Sequence, residues 1–168
     1  FKINKNDLMI DIGSNDGTLL QCFSNYGLKT LGIEPASNIA RLAEAKGIRT
    51  VNEFFNDECA VKISEEFGKA HIITGTNVFA HIDDMESILR GVNHLLSDKG
   101  VFIIEAPYLL NLLNNIEFDT IYHEHLSYFS LHPLVYFFKK FDLTVVDVRQ
   151  IPVHGGSIRV FEQKTPAL

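Results

Sequence analysis

The sequence begins with an apolar run that breaks into a short polar loop and then continues as a helical pattern. Residues 8–12 form the run, residues 13–17 (Gly-Ser-Asn-Asp-Gly) form the loop, and residues 18–26 carry apolar side chains at helical spacing. This order predicts a buried strand, a tight turn and an amphipathic helix. A chain that repeats this unit folds as an α/β protein, because strands that alternate with helices are joined by right-handed parallel crossovers.

The unit of strand, turn and helix is predicted three more times along the chain, and a fifth strand follows. The predicted strands are 29–33, 49–51, 71–74 and 101–105, and the predicted helices are 37–46, about 56–67 and about 84–96. Ser37 is expected to cap the second helix and Gly47 to end it. A turn over 97–100 is expected to precede the fifth strand. The pattern predicts an open, mostly parallel sheet with helices on both faces.

The last third of the chain follows a different pattern. Residues 108–129 are rich in asparagine, aromatic and histidine residues without a clean period, so we interpret them as an inserted active-site segment. A helix is predicted over 131–141. Two β-branched runs follow at 143–150 and 157–163, and they predict a terminal antiparallel hairpin that brings the sheet to seven strands.

Composition narrows the class of protein. A length of 168 residues is sufficient for one domain with its own core. The net charge of -6, without a lysine or arginine run, argues against binding to nucleic acid or an anionic membrane. The two cysteines are isolated and no run approaches the roughly 18 apolar residues of a membrane span. We therefore expect a cytoplasmic protein with a small-molecule ligand, and its oligomeric state stays open.

The first loop is expected at the carboxyl edge of the sheet, where such folds bind ligands. Nicotinamide-binding loops normally show Gly-x-Gly-x-x-Gly, whereas this loop has two glycines four positions apart and two acidic residues, Asp11 and Asp16. Acidic side chains suit a cationic ligand such as S-adenosylmethionine, and Asp11 would accept a hydrogen bond from its amino group. The residues of this segment expected at the cofactor are Asp11, Gly13, Ser14, Asn15 and Gly17. An ordinary strand-to-helix turn is the alternative.

Four further residues are candidates for the same cofactor. Glu34 ends the second strand roughly 20 residues after the loop, where an acid accepts ribose hydroxyls, although NAD-binding proteins use the same device. The alternative is a solvated glutamate at the end of the strand. Glu53 and Phe54 follow the third strand and would flank an adenine, or they are an exposed acid beside a core aromatic. Asn77 follows the fourth strand, and its alternative role is to form a turn.

Histidines concentrate in the predicted loops at the carboxyl edge, and Tyr122-His123-Glu124-His125 is the densest group. A zinc site is disfavoured, because positions i and i+2 lie far apart around a helix and, in the extended chain expected for this segment, the two histidines do not make a closed ligand set. No metal is expected. An imidazole here is a ready general base that a neighbouring tyrosine or glutamate would orient. The alternative is that these histidines only hydrogen-bond the inserted segment.

Four motifs occur in the order found in one enzyme family. They are Asp11-Ile-Gly-Ser-Asn-Asp-Gly17, Asn77-Val-Phe-Ala-His-Ile82, Tyr122-His-Glu-His-Leu-Ser-Tyr-Phe-Ser130 and Gly155-Gly-Ser-Ile-Arg159. With them the chain resembles the S-adenosylmethionine-dependent sugar C-methyltransferases. That family methylates carbon 3 of nucleotide-linked 4-keto-6-deoxy sugars on a class I, Rossmann-like methyltransferase sheet.

The resemblance implies roles for individual residues. His125 matches the base that removes the proton next to the ketone, and Tyr122 and Glu124 match residues beside it. His81 matches a histidine that contacts the substrate oxygen as the enolate develops. The residues expected to bind the sugar nucleotide are His123, Ser157 and Arg159.

Family members are longer than this chain, so residues 1–168 are expected to be their central methyltransferase domain. An amino-terminal zinc-binding domain and most of a carboxyl-terminal domain would then be missing from it. Two other functions stay open. One is an NAD-dependent oxidoreductase that uses the same sheet edge, and the other is a non-catalytic S-adenosylmethionine-binding module.

Overall fold

A seven-stranded sheet with helices on both faces forms the protein, and the computed structural model describes residues 1–166. The strands are β1 (Leu8–Ile12), β2 (Lys29–Ile33), β3 (Thr50–Val51), β4 (Ala70–Thr76), β5 (Leu96–Pro107), β6 (Leu143–Ile151) and β7 (Ser157–Lys164). The helices are α1 (Thr18–Ser24), α2 (Ser37–Ala45), α3 (Asp57–Phe67), α4 (Met85–Leu95), α5 (Leu109–Asn115) and α6 (Leu131–Lys139), with short 3₁₀ helices at Phe79–His81 and Phe118–Thr120.

The strand order is β3-β2-β1-β4-β5-β7-β6. The pairs from β3 through β5 are parallel, and β7 is antiparallel to both of its neighbours. The α/β class, the mostly parallel sheet and the terminal hairpin predicted from the sequence are thereby confirmed. Strand order reverses between β1 and β4, so the crevice that binds ligands in such sheets lies at their carboxyl ends.

Strand β1 is buried along its whole length, as expected for a central parallel strand covered on both faces. Ile10 and Ile12 belong to the larger core cluster, which includes residues of α3, α4 and α6. Met9 points the other way, into a smaller cluster with Leu20 of α1 and Ala43 of α2. The alternation of side chains across the strand therefore divides the core into two layers and fixes β1 between them.

Three local predictions were wrong. Ser37 does not cap α2: Ala36 occupies the cap position, and the Ser37 hydroxyl donates instead to Asn52 Oδ1 at 2.8 Å. The turn expected over 97–100 lies inside β5, which begins at Leu96 because Ala70 of β4 pairs with it there. Helices α1 and α6 end at Ser24 and Lys139, each two residues before its predicted end.

The predicted inserted segment leaves the sheet after β5 and returns to the place where it left. Tyr108 and Phe129 form an isolated bridge, and the Leu109 N–H donates to the Phe129 carbonyl at 2.8 Å. Between these ends the segment contains α5, which the sequence pattern did not indicate. Its loop is thus held at both ends beside the carboxyl edge of the sheet. Within the described residues, no helix is long and apolar enough to cross a membrane.

Candidate active site

The loop after β1 is built around the Glu34 carboxylate. One carboxylate oxygen accepts the Asn15 N–H at 3.0 Å and the other accepts the Ala36 N–H at 2.9 Å. Gly13 has a φ of 69° and its Cα lies against Val78, so a β-carbon there would meet the Val78 side chain at 2.9 Å. Glu34 therefore joins the end of β2 to the first loop, and each of its oxygens keeps a lone pair for a ligand hydroxyl.

A cleft of about 820 Å³ opens at this edge of the sheet. That volume falls in the range of small-molecule sites. Of the predicted cofactor residues, Gly13, Asn15, Glu34, Phe54 and Asn77 line it, and so does His81. The structure thus brings together residues from the loops after β1, β2, β3 and β4 that the sequence places far apart.

Two features of the cleft wall bear on its ligand. Three acidic side chains, Glu34, Asp83 and Asp84, line the cleft and favour a cationic ligand. The Asn77 Oδ1 is buried and has no hydrogen-bond partner among the described residues. A buried amide oxygen without a donor is costly, so the site suits a ligand that brings an N–H or O–H group.

Asp11 lies behind the cleft rather than in its wall. It is the fourth residue of β1 and is 4% exposed, and its Oδ1 accepts the Thr74 hydroxyl at 2.5 Å. Burial raises the pKa of the Asp11 carboxyl to about 6, although the hydrogen bond from Thr74 acts in the opposite direction. The carboxyl therefore changes charge close to neutral pH, directly under the loop.

Ser14, Gly17 and Glu53 also lie outside the lining. The Ser14 hydroxyl is buried against Gly32 of β2, and Gly17 lies against Ile48. Glu53 is exposed, and its carboxylate is 3.2 Å from the Lys62 amine. Ser14 and Gly17 shape the loop, and Glu53 points to solvent in this conformation.

The four residues 122–125 form a turn, not the extended chain expected from the sequence. The His125 N–H donates to the Tyr122 carbonyl at 3.0 Å, and this closes the turn. As a result the ring centroids of Tyr122 and His125 are 4.3 Å apart, and the Tyr122 Oη lies 3.2 Å from His125 Nε2. The His123 side chain is 90% exposed, with its Nε2 3.9 Å from a Glu124 carboxylate oxygen. Only His125 is directed inward.

His81 connects the histidine group to the cleft. It ends the 3₁₀ helix after β4, lines the cleft, and has its ring centroid 5.0 Å from that of His125. The Ala80 carbonyl accepts the N–H groups of Leu126 and Ser127 at 2.7 and 3.3 Å. These bonds fix the loop that bears His125 beside the cleft.

Backbone carbonyls determine which ring nitrogens carry protons. His125 Nδ1 lies 2.8 Å from the Thr120 carbonyl oxygen, and His81 Nδ1 lies 2.9 Å from the Glu124 carbonyl oxygen. A carbonyl only accepts, so each Nδ1 is the donor and each neutral ring keeps its lone pair on Nε2. In the neutral His125 ring Nε2 is therefore the basic atom, and it accepts a hydrogen bond from the Tyr122 hydroxyl.

The two predicted substrate residues of β7, Ser157 and Arg159, form hydrogen bonds within the protein. The Arg159 Nε and Nη2 donate to one Glu105 carboxylate oxygen at 3.0 and 2.7 Å. The Ser157 hydroxyl is buried and donates to the Val153 carbonyl at 2.9 Å. The Arg159 side chain is 43% exposed, so part of it still faces solvent.

Several residues of the site were not singled out from the sequence. In the cleft wall these are Ile12, Ile33, Pro35, Phe55, Asn56, Thr76, Val78, Ile82, Asp83, Asp84, Ser87 and Ile88. Their position just after β3 and β4 is a signal that would have found most of them. Thr120 was also missed, because its contribution is a backbone carbonyl, which every residue carries. Within residues 1–166 no three His, Cys, Asp or Glu side chains are grouped as a metal ion requires.

Solved structures share this fold at low sequence identity. The PH0226 protein from Pyrococcus horikoshii superposes with a TM-score of 0.73, at 14% identity over 95% of this chain and 82% of that one. Magnesium protoporphyrin IX methyltransferase (ChlM) from Synechocystis, with bound SAH, superposes with a TM-score of 0.70, at 12% identity over 95% of this chain and 74% of that one. The fold is that of a class I S-adenosylmethionine-dependent methyltransferase.

The sequence comparison places the chain more narrowly. Residues 1–148 match the family described as Methyltransferase domain, and the chain belongs to that family. The C-methyltransferase NovU of Streptomyces niveus is 44% identical over 155 residues, which are 92% of this chain. The matched part is 37% of NovU, so the chain spans little more than a third of that relative.

Proposed function

We propose that the chain is the methyltransferase domain of a longer enzyme that methylates a carbon next to a ketone, at C3 of a nucleotide-linked 4-keto-6-deoxy sugar. The observation that carries the proposal is the position of His81, which lines the cofactor cleft and lies against His125. His81 thus lies between the proposed base, His125, and the proposed cofactor pocket. This arrangement suits a reaction in which proton removal and methyl transfer occur at the same carbon. Similarity to a C-methyltransferase supports it.

The residues of the cleft fit S-adenosylmethionine. Glu34 would accept the ribose hydroxyls with the lone pairs that its two backbone bonds leave free. Asn77 would accept a ligand N–H at its buried Oδ1, and the exposed Phe54 would cover the adenine. From below the loop, the Asp11 carboxylate would favour the cationic amino group of S-adenosylmethionine. When bound, the cofactor supplies a sulfonium methyl group that a carbanion attacks in line.

His125 is the proposed general base. Its Nδ1–H is held by the Thr120 carbonyl, so Nε2 is available to take the proton from the carbon next to the ketone. The Tyr122 hydroxyl, 3.2 Å from Nε2, keeps the ring oriented before the substrate enters. The Glu124 side chain is solvent-exposed, and the proposed contribution of this residue is its backbone carbonyl, which accepts the hydrogen bond from His81 Nδ1.

His81 is proposed to stabilise the enolate oxygen. With Nδ1–H donated to Glu124, the ring donates from Nε2 only when it is protonated. An imidazolium would place both a hydrogen bond and a positive charge at the oxygen where negative charge develops, and such stabilisation is needed for an imidazole to ionise a C–H bond. His123, Ser157 and Arg159 remain the proposed contacts to the sugar nucleotide, with the exposed part of Arg159 facing its phosphates.

The proposal is tested by incubating the full-length protein with methyl-labelled S-adenosylmethionine and a nucleotide-linked 4-keto-6-deoxy sugar. Mass spectrometry should detect a sugar nucleotide that has gained one labelled methyl group, and NMR should locate it on C3. Cofactor binding without any product from this substrate class would support the non-catalytic module instead. The His125→Ala variant serves as the control for background reaction.

A further inference from the structure

The turn between β6 and β7 touches the segment that carries the histidines. Gly155 and Gly156 form this contact, with φ angles of 75° and 124°. A β-carbon on Gly155 would overlap the Glu117 carboxylate, and one on Gly156 would overlap the Asn111 amide. The turn therefore approaches α5 and the residue Glu117 that follows it through bare glycine backbone, which no larger residue permits.

Hydrogen bonds tie both ends of α5 to this turn. The Asn115 amide donates to Glu117 Oε1 at 2.8 Å and to the Gly155 carbonyl at 3.3 Å. At the other end, the Tyr108 N–H donates to the Gly156 carbonyl at 3.0 Å. The position of Glu117 is thus set by the glycine turn.

Thr120 connects Glu117 to the imidazole of His125. The Thr120 N–H and hydroxyl donate to the Glu117 carbonyl at 3.2 and 2.8 Å. The Thr120 carbonyl in turn accepts His125 Nδ1–H at 2.8 Å. A displacement of Glu117 would therefore move the group that fixes the proton on His125.

We propose that the Gly155-Gly156 turn, acting through Glu117 and Thr120, positions His125 and holds it in the tautomer with a basic Nε2. Gly155 and Glu117 are then positioning residues, and their importance for catalysis rests on the proposed role of His125 as the base. The contact also gives the Gly-Gly motif a function that does not require it to touch the sugar.

Gly155→Ala tests this directly, because the added methyl group collides with Glu117. Gly47→Ala is the matched control: Gly47 has a similar φ of 81°, but nothing lies within 4 Å of its β-carbon position. The readout is the ¹⁵N NMR signals of the His125 ring in the full-length protein, assigned by their loss in His125→Ala. We expect a pure Nδ1–H tautomer in the unmodified protein and in Gly47→Ala, and a mixed tautomer in Gly155→Ala.

Deuterium exchange at the sugar C3 gives the second readout. Gly155→Ala should exchange about 100-fold more slowly, the effect of displacing a reacting group by about 1 Å, whereas Gly47→Ala should match the unmodified protein. Adding Glu117→Ala to Gly155→Ala removes the collision and should recover part of the rate. If Gly155→Ala does not fold, Glu117→Ala alone should alter the ring signals, because it removes the carboxylate that Asn115 holds.

Unchanged His125 ring signals in a folded Gly155→Ala or Glu117→Ala variant would overturn the proposal. A mixed tautomer in the unmodified protein would overturn it as well. The nitrogen signals need no substrate, so they separate this proposal from the proposed function. An unmodified protein that fails to exchange the C3 proton contradicts the function, while the ring signals still decide the positioning.

Discussion

The imidazole rings of His81 and His125 lie 5.0 Å apart, and each holds its Nδ1 within 2.9 Å of a backbone carbonyl oxygen. The two carbonyls belong to Glu124 and Thr120, in the same inserted segment. Both histidines therefore present Nε2 from rings that the backbone orients. One ring is proposed to accept a proton from the substrate while the other, when protonated, stabilises the resulting charge.

Glu34→Ala should weaken binding of S-adenosylhomocysteine, the cofactor after methyl loss. Charge-assisted hydrogen bonds from ribose hydroxyls to this carboxylate would be lost, at about 1 to 3 kcal/mol. Glu34→Gln should lose less, because its amide oxygen still accepts. Calorimetry measures both, with Glu44→Ala, an exposed glutamate of α2, as the control. An unchanged affinity for Glu34→Ala would remove Glu34 from the cofactor site.

The affinity of the protein for S-adenosylhomocysteine should rise as the pH increases through about 6, which is the raised pKa of Asp11. The carboxyl becomes charged over that interval and then favours the cationic amino group. Asp11→Asn should lose this component of the pH dependence. The stability of the protein without ligand should change with pH in the opposite direction. The fold favours the protonated Asp11 carboxyl, so the contribution of Asp11 to the free energy of unfolding falls as the pH rises from the ordinary pKa of 3.8 towards about 6. A pH profile unchanged in Asp11→Asn would contradict the assignment.

Glu162 of β7 should destabilise the fold near neutral pH. Its side chain is 0% exposed, neither carboxylate oxygen has a partner among the described residues, and burial raises its pKa well above 4.5. Glu162→Met should raise the free energy of unfolding by about 1 to 3 kcal/mol, since it replaces an unsatisfied buried group. The gain should grow as pH rises above 4.5, where the unfolded carboxyl ionises and the folded one does not.

Denaturant unfolding at several pH values measures this gain. Glu44→Met, at an exposed position, should change stability by less than about 0.5 kcal/mol. A Glu162→Met variant that is less stable than the unmodified protein would show that the carboxyl has a stabilising partner.

Much of the fold was predictable because its signals are local. The apolar run Leu8–Ile12 is continuous since a central parallel strand is buried on both faces, and the glycines at 13 and 17 mark the turn that follows. Glu34 was predicted from spacing alone, and it does line the cleft. These features depend on neighbours in sequence or on the fixed geometry of a β-α unit.

The rest depends on contacts between distant segments. The pairing of Glu105 with Arg159 follows from the register of β5 and β7, which no short motif encodes. The turn over 122–125 differs from the extended chain expected from the sequence, and the loop that follows it is anchored to the Ala80 carbonyl, which is distant in sequence. Backbone carbonyls such as that of Thr120 carry no sequence signal, so the orientation of His125 could be read only from the structure.

Exchange of the sugar C3 proton with deuterated solvent, followed by NMR at saturating substrate, tests the central claim most directly. A general base contributes about 100- to 10,000-fold, so His125→Ala should slow exchange by that order while its affinity for S-adenosylhomocysteine stays nearly intact. His123→Ala, whose side chain is 90% exposed, should keep the exchange rate and change only KM. Loss of exchange in His123→Ala together with full exchange in His125→Ala would contradict the account.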